Sequence, residues 1–190
     1  MFIQKIEAIH ADAVEALHDM TDGWFMGLMA RFVFASVLLV FFLNSAATKL
    51  GSGFPGILMA KAGAYAQILP SLAEAVGYDT SKIAFIPWGL IVHLGAYGEA
   101  LIPVMIVLGL FTRLASFAMI GFIAVMTYVD IWSHGIGEKA VGGMFDRVQD
   151  SIVSDQRLLW IFPLMYLAVH GAGALSCDGI LRRFSQLSRY

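Results

Sequence analysis

AFIPWGLIVHLGAYGEALIPVMIVLGLFTR, residues 84–113, is the stretch on which the fold turns. From Ala84 to Phe111 its sole Asp, Glu, Lys or Arg is Glu99. A bilayer core of about 30 Å takes about 20 mostly apolar residues wound as a helix, since lipid offers no partner to a free backbone N–H or C=O. This stretch therefore spans a membrane with length to spare. Pro87 and Trp88 stand where a first turn meets the interface, and Gly89, Gly95 and Gly98 let a neighbouring helix come close.

Working outward, three more stretches can span: about Leu28 to Thr48, about Leu114 to Asp130, which is short, and about Leu158 to Cys177. Trp24, Trp88, Trp132 and Trp160 fall near the expected helix ends, as an interfacial aromatic belt requires. Of the 190 residues 59% are hydrophobic and 14% charged, whereas soluble domains carry roughly 25% charged residues; the mean hydropathy is +0.77. The expected architecture is an all-α integral membrane four-helix bundle, with no room for a second, soluble catalytic domain. A net charge of -2 argues against nucleic acid as a partner, which would need clustered Lys and Arg. Cys177 stands alone, so no intrachain disulfide, CxxC pair or thiolate cluster can form.

Residues 1–22 form an expected amphipathic interfacial helix: Phe2, Ile6, Ile9, Ala13, Ala16 and Met20 recur at helical spacing, with Glu7, Asp12, Glu15 and Asp19 on the rest of its surface. It lacks the basic start and short apolar run of a signal peptide, so it is expected to stay attached. The bundle is expected over 23–182 and a tail over 183–190. The connections at 49–83 and 131–157 are long for a bundle, where two to eight residues is usual. Either they pack on themselves or something packs on them. Lys5, Arg31, Arg113, Arg182, Arg183 and Arg189 fall on the side of the termini, and Lys49, Lys61, Lys82, Lys139, Arg147 and Arg157 on the other. Arg113 in a tight turn, and Arg182 with Arg183 just after the last helix, place both termini in the cytoplasm.

Glu99 asks for an explanation, because an ionisable group in mid-span costs about 2.5–3.5 kcal/mol on insertion scales and must face protein or water. Pro103 lacks the N–H that would bond the Glu99 carbonyl, so a kink is expected there. A carboxyl group beside a break in backbone bonding resembles a proton or ligand site; a carboxyl that only ties helices together is the alternative, and both stay open. A rise of about 1.5 Å per residue puts Glu99 and His170 at similar depth, about 18–22 Å from the outer ends of their helices, which makes His170 the expected catalytic partner. His93 and Tyr97, one turn apart on the helix of Glu99, and Arg113 are the candidate ligand-binding residues. Arg31, Arg113 and Asp178 stand at helix ends of similar depth, and an Arg113 to Asp178 ion pair is expected to join the second and third helices to the end of the fourth. Histidines on two helices permit a bis-His haem, but the spacing does not demand one. Scattered methionines fill gaps rather than bind copper, and no metal site is expected.

These residues resemble the DoxX family of small bacterial and archaeal membrane proteins. The likeness rests on Arg31 opening the first helix and Lys49 closing it, on GEALIPVMIVLGLFTRLAS with Glu99, Gly109 and Arg113, and on HGAGALSCDG with Gly171, Gly173, Ser176 and Asp178. It covers about residues 28–180. The resemblance implies a four-helix fold in the cytoplasmic membrane and a place in membrane redox complexes, since family members include the quinone-reducing subunit of thiosulfate:quinone oxidoreductase. Ala46, Cys177 and the loop at 131–157 depart from the family's pattern, and the loop favours a specialised partner. A quinone- or quinol-handling subunit is the first functional expectation; a non-catalytic assembly subunit of a larger membrane complex is the second. In either case other subunits are required, because no cofactor motif in this chain can take electrons from a substrate.

Overall fold

The computed structural model describes residues 2–187; Arg189 and the side chain of Phe2, both weighed above, lie outside that description. Four helices are long and apolar enough to cross a membrane, namely α2 (Phe25–Lys49), α5 (Phe85–Leu108), α6 (Thr112–Ser133) and α7 (Ile152–His170). Before them comes α1 (Phe2–Thr21), between α2 and α5 lie the short α3 (Ala62–Ile68) and α4 (Pro70–Ala75), and α8 (Cys177–Leu187) closes the chain. The spans form a ring in which α5 packs on α2 and α6, and α7 packs on α6 and back on α2. Their inner faces bury Phe34, Leu38, Phe42, Ile106, Met119, Ile123, Leu164 and Leu167. Their outer faces expose Leu94, Leu101, Phe117, Val125, Phe162 and Val169. A helix apolar all round belongs in lipid, so the chain is an integral membrane protein, with both ends of the bundle on one side. We call that the terminal side and the opposite one the loop side.

At the terminal side the helices meet backbone to backbone. A Cβ added to Gly27 would lie 2.6 Å from the carbonyl oxygen of Ala172, and one on Gly109, at φ +70°, would lie 2.5 Å from Ser176 Cβ. Only glycine permits that approach and that left-handed turn. Gly171 and Gly173, at φ +82° and +79°, end α7 earlier than the expected Cys177, and the chain then turns and starts afresh as α8. That helix runs through 183, where a tail was expected. The third span is longer than expected because a wide turn at Val129–Ser133 carries α6 onward. The helix α5 is continuous through Pro103; its irregular residue is instead Ile86, before Pro87, with φ -107° and ψ 122°.

On the loop side residues 50–83 fold onto the bundle. Leu50 and Ala60 bridge antiparallel, and Ala64, Tyr65 and Ala73 close over Val92 of α5. The second long connection meets the first where His134 Nε2 lies 3.1 Å from the Gln67 carbonyl oxygen. The long connections are thus a roof over the bundle. The helix α1 is exposed from Gln4 to Leu17 wherever its side chains are described, Ile6 and Ile9 included.

Candidate functional site

Glu99 is buried on α5, and its partner is Lys49, the last residue of α2. Lys49 Nζ donates to Glu99 Oε2 at 2.8 Å, to Oε1 at 3.0 Å, and to Ser45 Oγ at 2.6 Å. All three ammonium protons are therefore used, and both carboxylate oxygens keep a lone pair for a further donor. Desolvating two ions is expensive, and only close, fully hydrogen-bonded geometry offsets it, which this arrangement supplies.

A second pair lies across the bundle. Arg157, buried at the start of α7, donates from one terminal nitrogen to Thr127 Oγ1 at 2.6 Å and from the other to Asp130 Oδ2. Its Nε is buried and has no hydrogen-bond partner among the described residues. Thr127 and Asp130 stand one turn apart at the loop-side end of α6, so a single planar guanidinium reaches both.

Both pairs line one cavity of about 580 Å³. Its walls are apolar, with Phe41, Ile91, Phe122, Val125 and Met126 among them, and its roof includes Gln67, Ile68 and His134. Gly121 also faces it, and a Cβ added there would meet nothing within 4 Å. An apolar chamber open on the outer face of the bundle, where Phe41, Ile91 and Val125 are exposed, with a few convergent polar groups, has the general form of a small-molecule site.

His170 is not part of this chamber. It is the last residue of α7, stacked on Tyr166 with ring centroids 4.5 Å apart, and it lines a separate cavity of about 380 Å³ with His18, Asp22 and Trp24 at the terminal side. The expected pairing of Glu99 with His170 therefore does not form. Counting helical rise assumed that the spans begin level, but the first turns of α5 stand above the end of α2, within the roof. Glu99 lies about 14 Å short of the terminal-side end of its helix, whereas His170 lies at the end of its own.

His93 and Tyr97 serve the roof. His93 Nε2 accepts from the Ala60 N–H at 3.2 Å while Nδ1 lies 2.7 Å from the Gly89 carbonyl oxygen, which defines the neutral Nδ1–H tautomer. Tyr97 donates its hydroxyl to the Leu58 carbonyl at 2.7 Å. Neither lines the chamber.

The expected Arg113 to Asp178 ion pair is also absent among the described residues. Asp178 instead accepts from the backbone N–H of Phe111 at 2.8 Å, from the N–H of Thr112 at 2.9 Å and from Thr112 Oγ1 at 2.7 Å. A carboxylate at a helix N-terminus meets otherwise unpaired N–H groups and the positive end of the helix dipole, a better use than an exposed ion pair. Arg113 is exposed on the terminal side, away from the chamber. Nearby, Arg31 donates to the carbonyls of Val107, at 2.9 Å, and Leu175. Arg31, Gly109, Ser176 and Asp178 are thus a structural knot, and Lys49 with Glu99 is the pair at the chamber.

Family models, characterised proteins and solved structures were all compared with the chain, and none matches.

Proposed function

We propose that the chain is a quinone- or quinol-binding subunit of a membrane redox complex, with the head group held in the chamber between Lys49–Glu99 and Asp130–Arg157. The observation that carries this reading is the placing of a buried ion pair and a second, partly buried one on one apolar chamber open to the hydrocarbon phase. A structural tie needs only one contact between two helices, whereas these pairs converge on shared space.

The chamber's donors and acceptors suit such a ligand. The free Nε–H of Arg157 can donate to a carbonyl oxygen, and the spare lone pairs of Glu99 can accept from a hydroxyl. Glu99 can hold a proton at Oε1 or Oε2, and the ammonium of Lys49 offsets the charge when that proton leaves. The apolar walls exclude water and strengthen both contacts. A bound quinone would supply two-electron, two-proton exchange, its electrons coming from or going to a partner subunit. The resemblance to the DoxX family supports the same reading, since its separated blocks supply Lys49 and Glu99. On it, the membrane is the bacterial or archaeal cytoplasmic membrane with both termini inside the cell.

A non-catalytic assembly role is the second reading, and the exposed stripe of α1 favours it. Gentle detergent purification with identification of co-purifying proteins and extractable quinone separates the two. Quinone retained in near-stoichiometric amount, and lost on Glu99→Gln with Lys49→Met, supports the first. Co-purifying partners with no quinone above the level of bulk lipid contradicts it.

A further inference from the structure

The chamber has a neighbour. A groove of about 950 Å³ runs along the lipid-facing seam of α2 and α7, from Met26 and Tyr166 near the terminal side up to Ile152 and Arg157. Phe41, Ile152 and Arg157 line both the groove and the chamber. The two spaces therefore adjoin, and these side chains stand between them, Phe41 with its ring 5.5 Å from that of Trp160 on α7. The groove is floored by the buried Phe34 and Leu38 and flanked by Val33, Val37 and Phe162, and its polar end is Gln156 and Arg157, the latter with the unpartnered Nε. The terminal-side ends of the same two helices cannot part, because Gly27 seats against the backbone of Ala172. The seam is tightest at the terminal side, and at the loop side only side chains, Phe41 and Trp160, meet across it.

We infer that the hydrocarbon tail of the ligand leaves the chamber sideways through this gap, past Phe41 and Ile152, and lies in the groove between α2 and α7, so that the ligand enters from the bilayer and not from water. This rests on the quinone reading given above. The occupant is an isoprenoid or alkyl tail attached to a head group in the chamber, because the wall shared with the polar chamber at Arg157 distinguishes this groove from an ordinary lipid-facing seam. In a bilayer the tail is already in hydrocarbon, so the groove adds little affinity of its own and acts by steric access.

The test uses the full chain in nanodiscs, titrated with a long-chain quinone and with its tail-less ring analogue, amounts being expressed per lipid. Wild type is expected to bind both. Val37→Trp, which fills the groove beside the passage and lies outside the chamber, is expected to weaken the long-chain ligand about tenfold or more and to leave the ring analogue within about twofold. Phe41→Ala, which widens the passage, is expected to speed release of the long-chain ligand by about threefold or more. Equal weakening of both ligands by Val37→Trp, or of neither, with release unchanged in Phe41→Ala, overturns the lateral passage while leaving the chamber in place. Failure of wild type to bind either ligand overturns the quinone reading, and the passage with it.

Discussion

Replacing Lys49 and Glu99 singly and together separates a buried ion pair from two independent polar residues. Both side chains are nearly inaccessible, at 5% and 7% exposure, and they meet at 2.8 Å. Lys49→Met leaves the carboxylate facing Ser45 and apolar walls; Glu99→Leu leaves the ammonium with only Ser45 Oγ. Stranding one charge of a buried pair typically costs about 3–5 kcal/mol, whereas replacing both by apolar groups of similar volume is often near neutral. Each single variant is therefore expected to lose about 3 kcal/mol of bundle stability, and the double variant to lose no more than either single one. That is a coupling of at least about 3 kcal/mol, roughly 150-fold in the unfolding constant. Unfolding of the purified protein by denaturing detergent, followed by circular dichroism, measures all four corners of the cycle. Losses that add within about 0.5 kcal/mol would refute the claim that the two charges act as a unit.

The same unfolding assay checks two further expectations at the terminal side. Asp178→Ala removes three hydrogen bonds from the start of α6 and should destabilise by about 1–2 kcal/mol, while Arg113→Ala should stay within about 0.5 kcal/mol; equal losses would restore an Arg113 to Asp178 pair. Gly27→Ala should lose about 1–3 kcal/mol, because its methyl group would meet the Ala172 backbone at 2.6 Å. His93→Ala should leave the spans intact but loosen the roof, seen as faster hydrogen exchange at the Ala60 amide, which then has no acceptor; unchanged exchange would mean that the roof is held elsewhere.

The spans were legible because lipid imposes one rule on every backbone group, and the runs around Leu28–Thr48 and Ala84–Phe111 obey it without ambiguity. Glu99 was legible for the converse reason, as a charge where charge is costly. Its partner was not. Lys49 closes an apolar run, where a lysine ordinarily reaches toward the interface, and nothing local says that it turns inward to a carboxylate fifty residues on. The available signal was level: an acid and a base of neighbouring helices both near the loop side. Asp130 and Arg157 carry the same signal, one ending a span and the other opening the next, yet Arg157 entered the sequence reading only as a loop-side positive charge. His170 misled because helix starts are staggered, and that stagger comes from how the 50–83 connection folds over α5, which no periodicity encodes. The end of α7 was misplaced because Gly171 and Gly173 resemble close-packing glycines inside a span until their positive φ is known.

The most direct measurement obstructs the mouth of the chamber without touching either ion pair. At Gly121, exposed on the rim of the chamber, an added Cβ meets no atom within 4 Å, so Gly121→Leu should place its branches across the chamber's mouth and hold or slightly raise helix stability, by up to about 1 kcal/mol. Titration of wild type and this variant with a quinone, read by quenching of tryptophan fluorescence in nanodiscs, should show saturable binding in the first and a loss of at least about tenfold in affinity in the second, at unchanged stability. Saturable binding of equal strength in the two would contradict a head-group site in this chamber.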